Sequence, residues 1–413
     1  MKILLVKPAF SRLLGNDVYN TFPIGLSYVA SMLKQNGHEV FIYHDDVSNP
    51  NRIPPANAVL KDISIALPDE DVLAPLEKVI DNFKPDAIGV SFLTADRMSA
   101  VVVAEIARER GIHSVAGGVH PSLLPMDALL FFDAVVVGEG EHPMVEEAFS
   151  SDFNGIMTVP FIEDLDAVVP DKSCIIGGER YIPFLYGLIQ TQRGCPYNCG
   201  FCAAPKFTGR KVRTRNPRKV LEEIRQLGVR TGRIIDDSFG VNRNHGLAIC
   251  QELVTIDFTW NCDVALQDID SERIAAWLAG GCDRINVGIE SASPRWQKLA
   301  GKNIAPGRPE EVARECLDSG LGVVYYFMIG YPGETYDEMS ATLDYAELLK
   351  NLGAKPCISI VTPYPQTAIW DMVHGTEREW NWSDFVHQST RMGFADCTEK
   401  EWNAAVSRAN ILN

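Results

Sequence analysis

Arg193-Gly194-Cys195-Pro196-Tyr197-Asn198-Cys199-Gly200-Phe201-Cys202 sets three thiols on one short loop, spaced Cys-x3-Cys-x2-Cys. The apolar run before it reads as a strand, so the loop lies at a strand's C-terminal end. Three thiolates on a tight loop suit three irons of a cubane cluster. A structural zinc site wants a fourth Cys or His nearby. The nearest candidates here, Cys174 and His245, are distant in sequence. A fourth iron without a protein ligand is an open, reactive position. Cys195, Cys199 and Cys202 are the candidate metal ligands.

Downstream, candidate strands at 187–192, 232–236, 258–263, 284–289, 322–329 and 357–361 alternate with helical stretches such as 216–227, 270–280, 308–319 and 335–351. Six βα units predict a partial (β/α)6 barrel, with its chemistry at the strands' C-terminal ends. Upstream, apolar strands at 3–7, 38–43, 86–91, 112–116 and 133–138 alternate with helices at about 25–36 and 96–110. Continuous apolar strands imply a doubly wound parallel sheet covered on both faces, with ligands at its carboxyl ends. Residues 150–185, with Pro160, Pro170, Pro183 and Gly177-Gly178, read as a linker. The C-terminal stretch with Trp370, Trp380 and Trp382 reads as a short helical cap. The division expected is 1–149, linker 150–185, 186–365 and cap 366–413.

The 413 residues carry 38 basic and 54 acidic side chains, a net charge of −16. Such acidity disfavours a nucleic-acid backbone as partner. No apolar run approaches the roughly 18 residues a membrane helix needs. Met1-Lys2-Ile3-Leu4-Leu5-Val6 reads as a first buried strand, its apolar run being too short for an export signal. Ten cysteines fall well below the density of a disulfide scaffold. A reducing, cytoplasmic setting is the expectation.

The cysteine loop, with aromatic Phe201 before its last cysteine, resembles that of the radical S-adenosylmethionine (SAM) superfamily. The rest resembles its cobalamin-binding branch. Upstream this rests on Pro23-Ile24-Gly25-Leu26, Gly37-His38-Glu39-Val40, Gly89-Val90-Ser91, Gly117-Gly118-Val119-His120-Pro121 and Gly138-Glu139-Gly140-Glu141. In the barrel it rests on Ile235-Asp236-Asp237-Ser238-Phe239, Trp260-Asn261-Cys262, Gly288-Ile289-Glu290-Ser291, Met328-Ile329-Gly330-Tyr331-Pro332-Gly333-Glu334-Thr335 and Thr362-Pro363-Tyr364-Pro365. The likeness covers roughly residues 1–365. It implies a Rossmann-like cobalamin domain before a radical SAM barrel, with a [4Fe–4S] cluster, SAM and cobalamin as cofactors. It also implies an electron donor of the flavodoxin or ferredoxin type.

By the same likeness Ser91, Gly117, Gly118, Gly138, Glu139 and Gly140 contact cobalamin. Phe201, Arg213, Asp236, Asp237, Glu290 and Glu334 contact SAM or a neighbouring cofactor group. The bland readings stand beside these: βα-turn glycines, and acids that cap the next helix. The basic run Lys206 through Lys219 reads as a solvated face, from which Arg213 is singled out because it matches a recurrent family arginine. No Asp-x-His-x-x-Gly pattern occurs, so base-off cobalamin without a histidine ligand is expected, and His120 is read as a packing or hydrogen-bonding residue. Departures from the family pattern are Gln192 before the loop, Ala265 for an arginine, and Tyr325 and Tyr326 for small residues. Tyr325 is the candidate catalytic side chain, with buried packing as its alternative.

The activity this implies is C-methylation of an unactivated carbon. One SAM supplies the methyl group through cobalamin, and a second supplies the 5′-deoxyadenosyl radical. The alternative is a non-methylating cyclase or redox enzyme of the same architecture acting on a small natural product or lipid. A methylthiotransferase needs three N-terminal cysteines, and none precedes Cys174. A non-catalytic sensor would not need an open cluster. Compact size is similar to enzymes that C-methylate methyl-coenzyme M reductase, which implies a protein acceptor, glutamine Cα.

Overall fold

The structure is a computed structural model and describes residues 1–8, 22–45, 70–178, 186–374, 382, 385, 389 and 393–413. Pro183 and Trp380 lie outside the described residues.

The first sheet comprises β1 (Lys2–Lys7), β2 (Glu39–His44), β3 (Ala87–Ser91), β4 (His113–Gly117), β5 (Ala134–Val137) and β6 (Gly155–Thr158). Its order is β2-β1-β3-β4-β5-β6 and every pairing is parallel. Successive side chains of a strand point to opposite faces. Leu4 and Val6 pack with Leu76, Ile80, Val103 and Ala104, whereas Ile3 and Leu5 pack with Leu26, Ala30, Val145 and Phe149. Both faces are thus buried under helices, among them α1 (Ile24–Gln35), α2 (Glu70–Phe83) and α3 (Arg97–Glu109). The chain reverses direction across the sheet between β1 and β3, the switch point where such folds bind ligands.

β6 falls inside the stretch read as a linker. It is an edge strand with only Met157 buried, so it carries no apolar alternation to find. The same stretch also packs on the first sheet, through Cys174 and Ile175 and an Ile42–Ile175 bridge.

The second sheet contains β7 (Leu188–Ile189), β10 (Thr231–Ile234), β11 (Thr259–Val264), β12 (Cys282–Glu290), β13 (Gly322–Ile329) and β14 (Lys355–Ile360). All its pairings are parallel, in the order β14-β13-β12-β11-β10-β7. Between β7 and β10, β8 (Gln192–Arg193) and β9 (Arg213–Thr214) form a small antiparallel ribbon that brackets the cysteine loop. Trp260, Cys262, Val264, Ile285, Val287, Tyr325 and Phe327 face the surrounding helices and form the main core. Their alternates face the lumen.

At the C-terminal end, residues 394–396 run beside the loop after β13. Phe394 N donates to Gly330 O (3.2 Å), and Asp396 N donates to Glu334 O (2.7 Å). Trp382 reaches the first domain, its ring edge-on to His120 and its face under Arg97. Among the described residues no helix is long and apolar enough to cross a membrane.

Candidate active site

The cysteine loop is held by backbone on three sides. Cys195 N donates to Gly209 O (3.0 Å), Gly200 N to Leu299 O (3.1 Å) and Cys202 N to Cys199 O (3.1 Å). Gly194 has φ +96°, and a Cβ there would meet Lys211 O at 2.3 Å. Only glycine therefore lets the ribbon close over the loop. All three thiols are half-buried and free. Burial pushes Cys202 up to about 11 and raises Cys195 and Cys199, the latter against the opposing charge of Lys302. Among the described residues no three ligating side chains converge tightly enough for a single ion. Three soft sulfur donors spread along one loop suit a cluster edge.

Beside this loop stands an ion pair that sequence reading half found. Glu290 ends β12 at φ +74°, next to a register shift. Its carboxylate lies 3.3 Å from Lys302 Nζ. A Cβ at Gly288 would sit 2.1 Å from Glu290 Oε1, so that glycine makes the pocket for the carboxylate. Burial opposes the charge on Lys302, but Glu290 and Cys199 outweigh it and raise its pKa. Burial raises Glu290, with Lys302 opposing. Lys302 was not foreseen. It follows a helix-ending Gly301, and no spacing rule marks such a lysine.

Several other expected contacts are engaged within the protein. Asp236 is buried and accepts from Thr191 N (2.7 Å), Thr191 Oγ1 and Gln192 N (3.1 Å). Burial pushes it up to about 7. It anchors the strand leading into the loop. Asp237 accepts from Gly194 N (3.3 Å) and Thr208 Oγ1 (2.9 Å). Glu334 is buried and accepts from Gly330 N (2.7 Å) and Tyr331 N (3.0 Å). Burial pushes it up to about 8. It shapes the loop after β13. Phe201 packs with Trp296, Tyr331 and Ile369 behind the loop.

Two expectations are corrected. Tyr325 is fully buried on the helix side of β13, and its hydroxyl donates to Pro309 O (2.7 Å). The strand's period of two puts Tyr326, not Tyr325, in the lumen. Arg213 is spent on partners inside the protein. Its guanidinium donates twice to Glu139 (2.8 Å each), to Ile162 O (2.6 Å) and to Thr208 O (2.8 Å). Of the basic run, Lys206, Arg210, Lys211, Arg218 and Lys219 are exposed, while Arg213 and Arg215 turn inward. Arg193 also pairs with Glu139 (3.1 Å) and with Glu141. Glu139, Glu141, Arg193 and Arg213 are all at most 9% exposed and form a buried charge cluster between the two domains. These hydrogen bonds hold Glu139 ionised against its burial.

The carboxyl ends of β1, β3, β4 and β5 open into a crevice. Its empty space, open mouth included, is about 1030 Å³. Ser91, Gly117, Gly118, Gly138, Glu139 and Gly140 all line it. The glycines differ in role. A Cβ on Gly117 would meet nothing within 4 Å, so the bare backbone faces the open crevice. Gly118 (φ +94°) leaves no room, since a Cβ would meet Ser91 Oγ at 2.7 Å. A backbone cradle at strand ends fits a bulky flat ligand. The barrel supplies part of the wall through Gln190, Arg193, Phe207 and Thr208. His120 is fully buried outside this set, with Nδ1 at 3.2 Å from Thr94 Oγ1 and Nε2 at 3.0 Å from Asp127 Oδ2.

Comparison with known proteins agrees with both halves. The family model for the Radical SAM superfamily matches residues 189–346, and that for the B12 binding domain matches residues 12–147. An uncharacterized methyltransferase of Pyrococcus horikoshii is 28% identical over 447 residues, spanning 100% of this chain and 92% of that protein. The radical SAM methyltransferase TsrM from Kitasatospora setae, solved with cobalamin and a [4Fe–4S] cluster, superposes with a TM-score of 0.65 at 18% identity. That match covers 89% of this chain and 73% of TsrM. OxsB, a cobalamin-dependent SAM radical enzyme, gives 0.68 at 16% identity, over 98% of this chain and 66% of its own. The chain joins a B12-binding domain to a radical SAM domain and is a cobalamin-dependent radical SAM enzyme. A [4Fe–4S] cluster, SAM and cobalamin are its cofactors.

Proposed function

We propose that this enzyme is a C-methyltransferase, placing a methyl group on an unactivated carbon of its substrate. The observation that carries this reading is the shared wall. Arg193 lines the cobalamin crevice and, two residues on, the chain becomes Cys195. One rigid ribbon thus serves both cofactor sites, as expected where two cofactors must reach one carbon. The relative from Pyrococcus horikoshii and TsrM both bear methyltransferase names, which supports the same reading.

When bound, the cluster supplies the electron that cleaves SAM, and cobalamin carries the methyl group. The chain's own part is placement. Cys195, Cys199 and Cys202 hold three irons. The methionine end of SAM is an ammonium and a carboxylate, and the Glu290–Lys302 pair beside Cys199 offers it one partner of each sign. The tight packing of Phe201, Trp296 and Tyr331 keeps water from the loop. A one-electron donor of the flavodoxin or ferredoxin type completes the proposal. A glutamine acceptor in methyl-coenzyme M reductase gains no support from the residues of the site.

The test is anaerobic reconstitution with iron, sulfide and hydroxocobalamin, followed by desalting and a visible spectrum. Stoichiometric cobalamin in the base-off form after reduction is expected, with 5′-deoxyadenosine formed from SAM. Replacement Cys199→Ala is expected to remove the cluster absorbance and that product together. A cluster retained without cobalamin would overturn the methyltransferase reading.

A further inference from the structure

A parallel barrel is ordinarily filled by layers of branched apolar side chains. This lumen is not. The residues alternating with the helix-facing core of β10 to β14 include Arg233, Asn261, Asp263, Arg284, Asn286, Gly288, Tyr326, Lys355 and Cys357.

These groups are partly tied to one another and partly open. Arg233 NH2 donates to Asp263 Oδ2 (2.5 Å), and Asn286 Nδ2 donates to Asp263 Oδ1 (2.9 Å). The one lumen carboxylate at this depth is therefore spent on Arg233 and Asn286. Asp283, the extra residue of a bulge between β11 and β12, is exposed. Arg284 crosses the floor over Gly322, where a Cβ would stand 3.5 Å from its Cβ and Cγ. Among the described residues its guanidinium has no ion-pair partner, and its Nε is buried without a hydrogen bond. Asn261 is 3% exposed and its Oδ1 is likewise unpaired. Buried polar groups are nearly always satisfied, so two adjacent exceptions facing one space point to a ligand. Lys355, exposed on the edge strand near Cys357, is a second cation without an ion-pair partner among the described residues. The protein carries −16 overall, yet this floor has excess positive charge.

We propose that the lumen is the acceptor site and takes an elongated, anionic small molecule. Its oxyanion, a carboxylate or a phosphate, rests on Arg284 and Lys355, and a hydroxyl or N–H beside it donates to Asn261 Oδ1. The six-residue step along β12 from Glu290 to Arg284 spans roughly 20 Å at about 3.3 Å per residue. The reacting carbon therefore lies far from the anionic end. Val324, Tyr326 and Met328 share the lumen face of β13, so the body of the molecule meets an apolar strip while its end meets the cations. This inference rests on the radical SAM reading above, since it takes the mouth of the barrel as the reacting end.

The experiment is calorimetric titration of the reconstituted full-length holoenzyme with inorganic phosphate and, separately, with succinate. Saturable binding of one of them is expected, and the tighter of the two assigns the oxyanion. Arg284→Gln is expected to weaken it roughly ten- to hundredfold, as for loss of a charged hydrogen bond. Lys355→Gln, on an exposed edge, is expected to weaken it less, and Arg284→Lys to restore most of the loss. If Arg284→Gln does not fold, the Arg284→Lys and Lys355→Gln pair still decides, since both keep the fold's apolar core. Binding of neither anion, or equal binding by all variants, would overturn the inference. Wild-type cobalamin retention and 5′-deoxyadenosine formation are read on the same preparation. Their loss sinks the proposed function, whereas their presence without anion binding sinks only the lumen assignment.

Discussion

Tyr325 and Tyr326 are neighbours in sequence and face opposite sides of one strand. Tyr325 Oη donates to Pro309 O in the helical layer, and burial raises its pKa far above the ordinary phenol. Tyr326 lies on the lumen side with Arg233 and Asp263, and burial pushes it up to about 12. Replacing Tyr325 by Phe should cost about 1 kcal/mol through the lost hydrogen bond. It should leave 5′-deoxyadenosine formation unchanged, as measured by thermal melting and product analysis side by side. The same residue-scale accounting gives Glu334 a pH signature. Its folded pKa, about 8, lies above the ordinary carboxyl value of 4.5 because burial disfavours the charge. Between those values the folded state holds a proton that the unfolded state has lost, so stability falls as pH rises from about 5 to 8. Glu334→Gln should remove this slope. The gap between its melting temperature and that of the wild type should move in the variant's favour at pH 8 relative to pH 5. An unchanged gap would mean that Glu334 is ionised in the folded protein.

At the level of elements, the sequence reading reached most of the strands and missed those that lack a pattern. β13 falls at 322–329 as expected, and β11 and β12 fall within two residues of expectation. They are apolar on the helix side without interruption, and burial enforces that pattern. β6 was hidden because an edge strand buries one residue, and β8 and β9 because two-residue ribbons have no period. The cysteine loop was legible from spacing alone, whereas Lys302 and the inward turn of Arg213 were not. What an arginine meets depends on the register between domains, and local spacing does not encode it. The resulting cluster makes its own prediction. Removing either Glu139 or Arg213 strands a buried charge, at a cost of about 3–5 kcal/mol. Glu139→Gln with Arg213→Met should cost less than the sum of the two single changes. A double-mutant cycle in denaturant measures that coupling. Strict additivity would mean that the two side chains do not meet.

Taken as a whole molecule, the chain makes its cobalamin crevice from two domains. Most of the wall comes from the β1, β3, β4 and β5 ends, and the remainder from the stretch Gln190–Thr208 that also carries the cluster cysteines. Phe207 belongs to that second part and stands outside the cysteine spacing. A ligand bound only to the first domain would be indifferent to it, whereas one held between the domains would lose apolar contact when it is truncated. Phe207→Ala should therefore weaken cobalamin binding by roughly ten- to a hundredfold, the cost of about 1.5–3 kcal/mol for an exposed aromatic face. Because a ligand that binds only the folded state raises its stability by mass action, cobalamin should raise the wild-type melting temperature in proportion to ln[cobalamin]. The variant should show the same rise displaced to higher concentration, with its cluster absorbance intact. An unshifted curve would place cobalamin wholly within the first domain and leave the shared ribbon without a part in holding it.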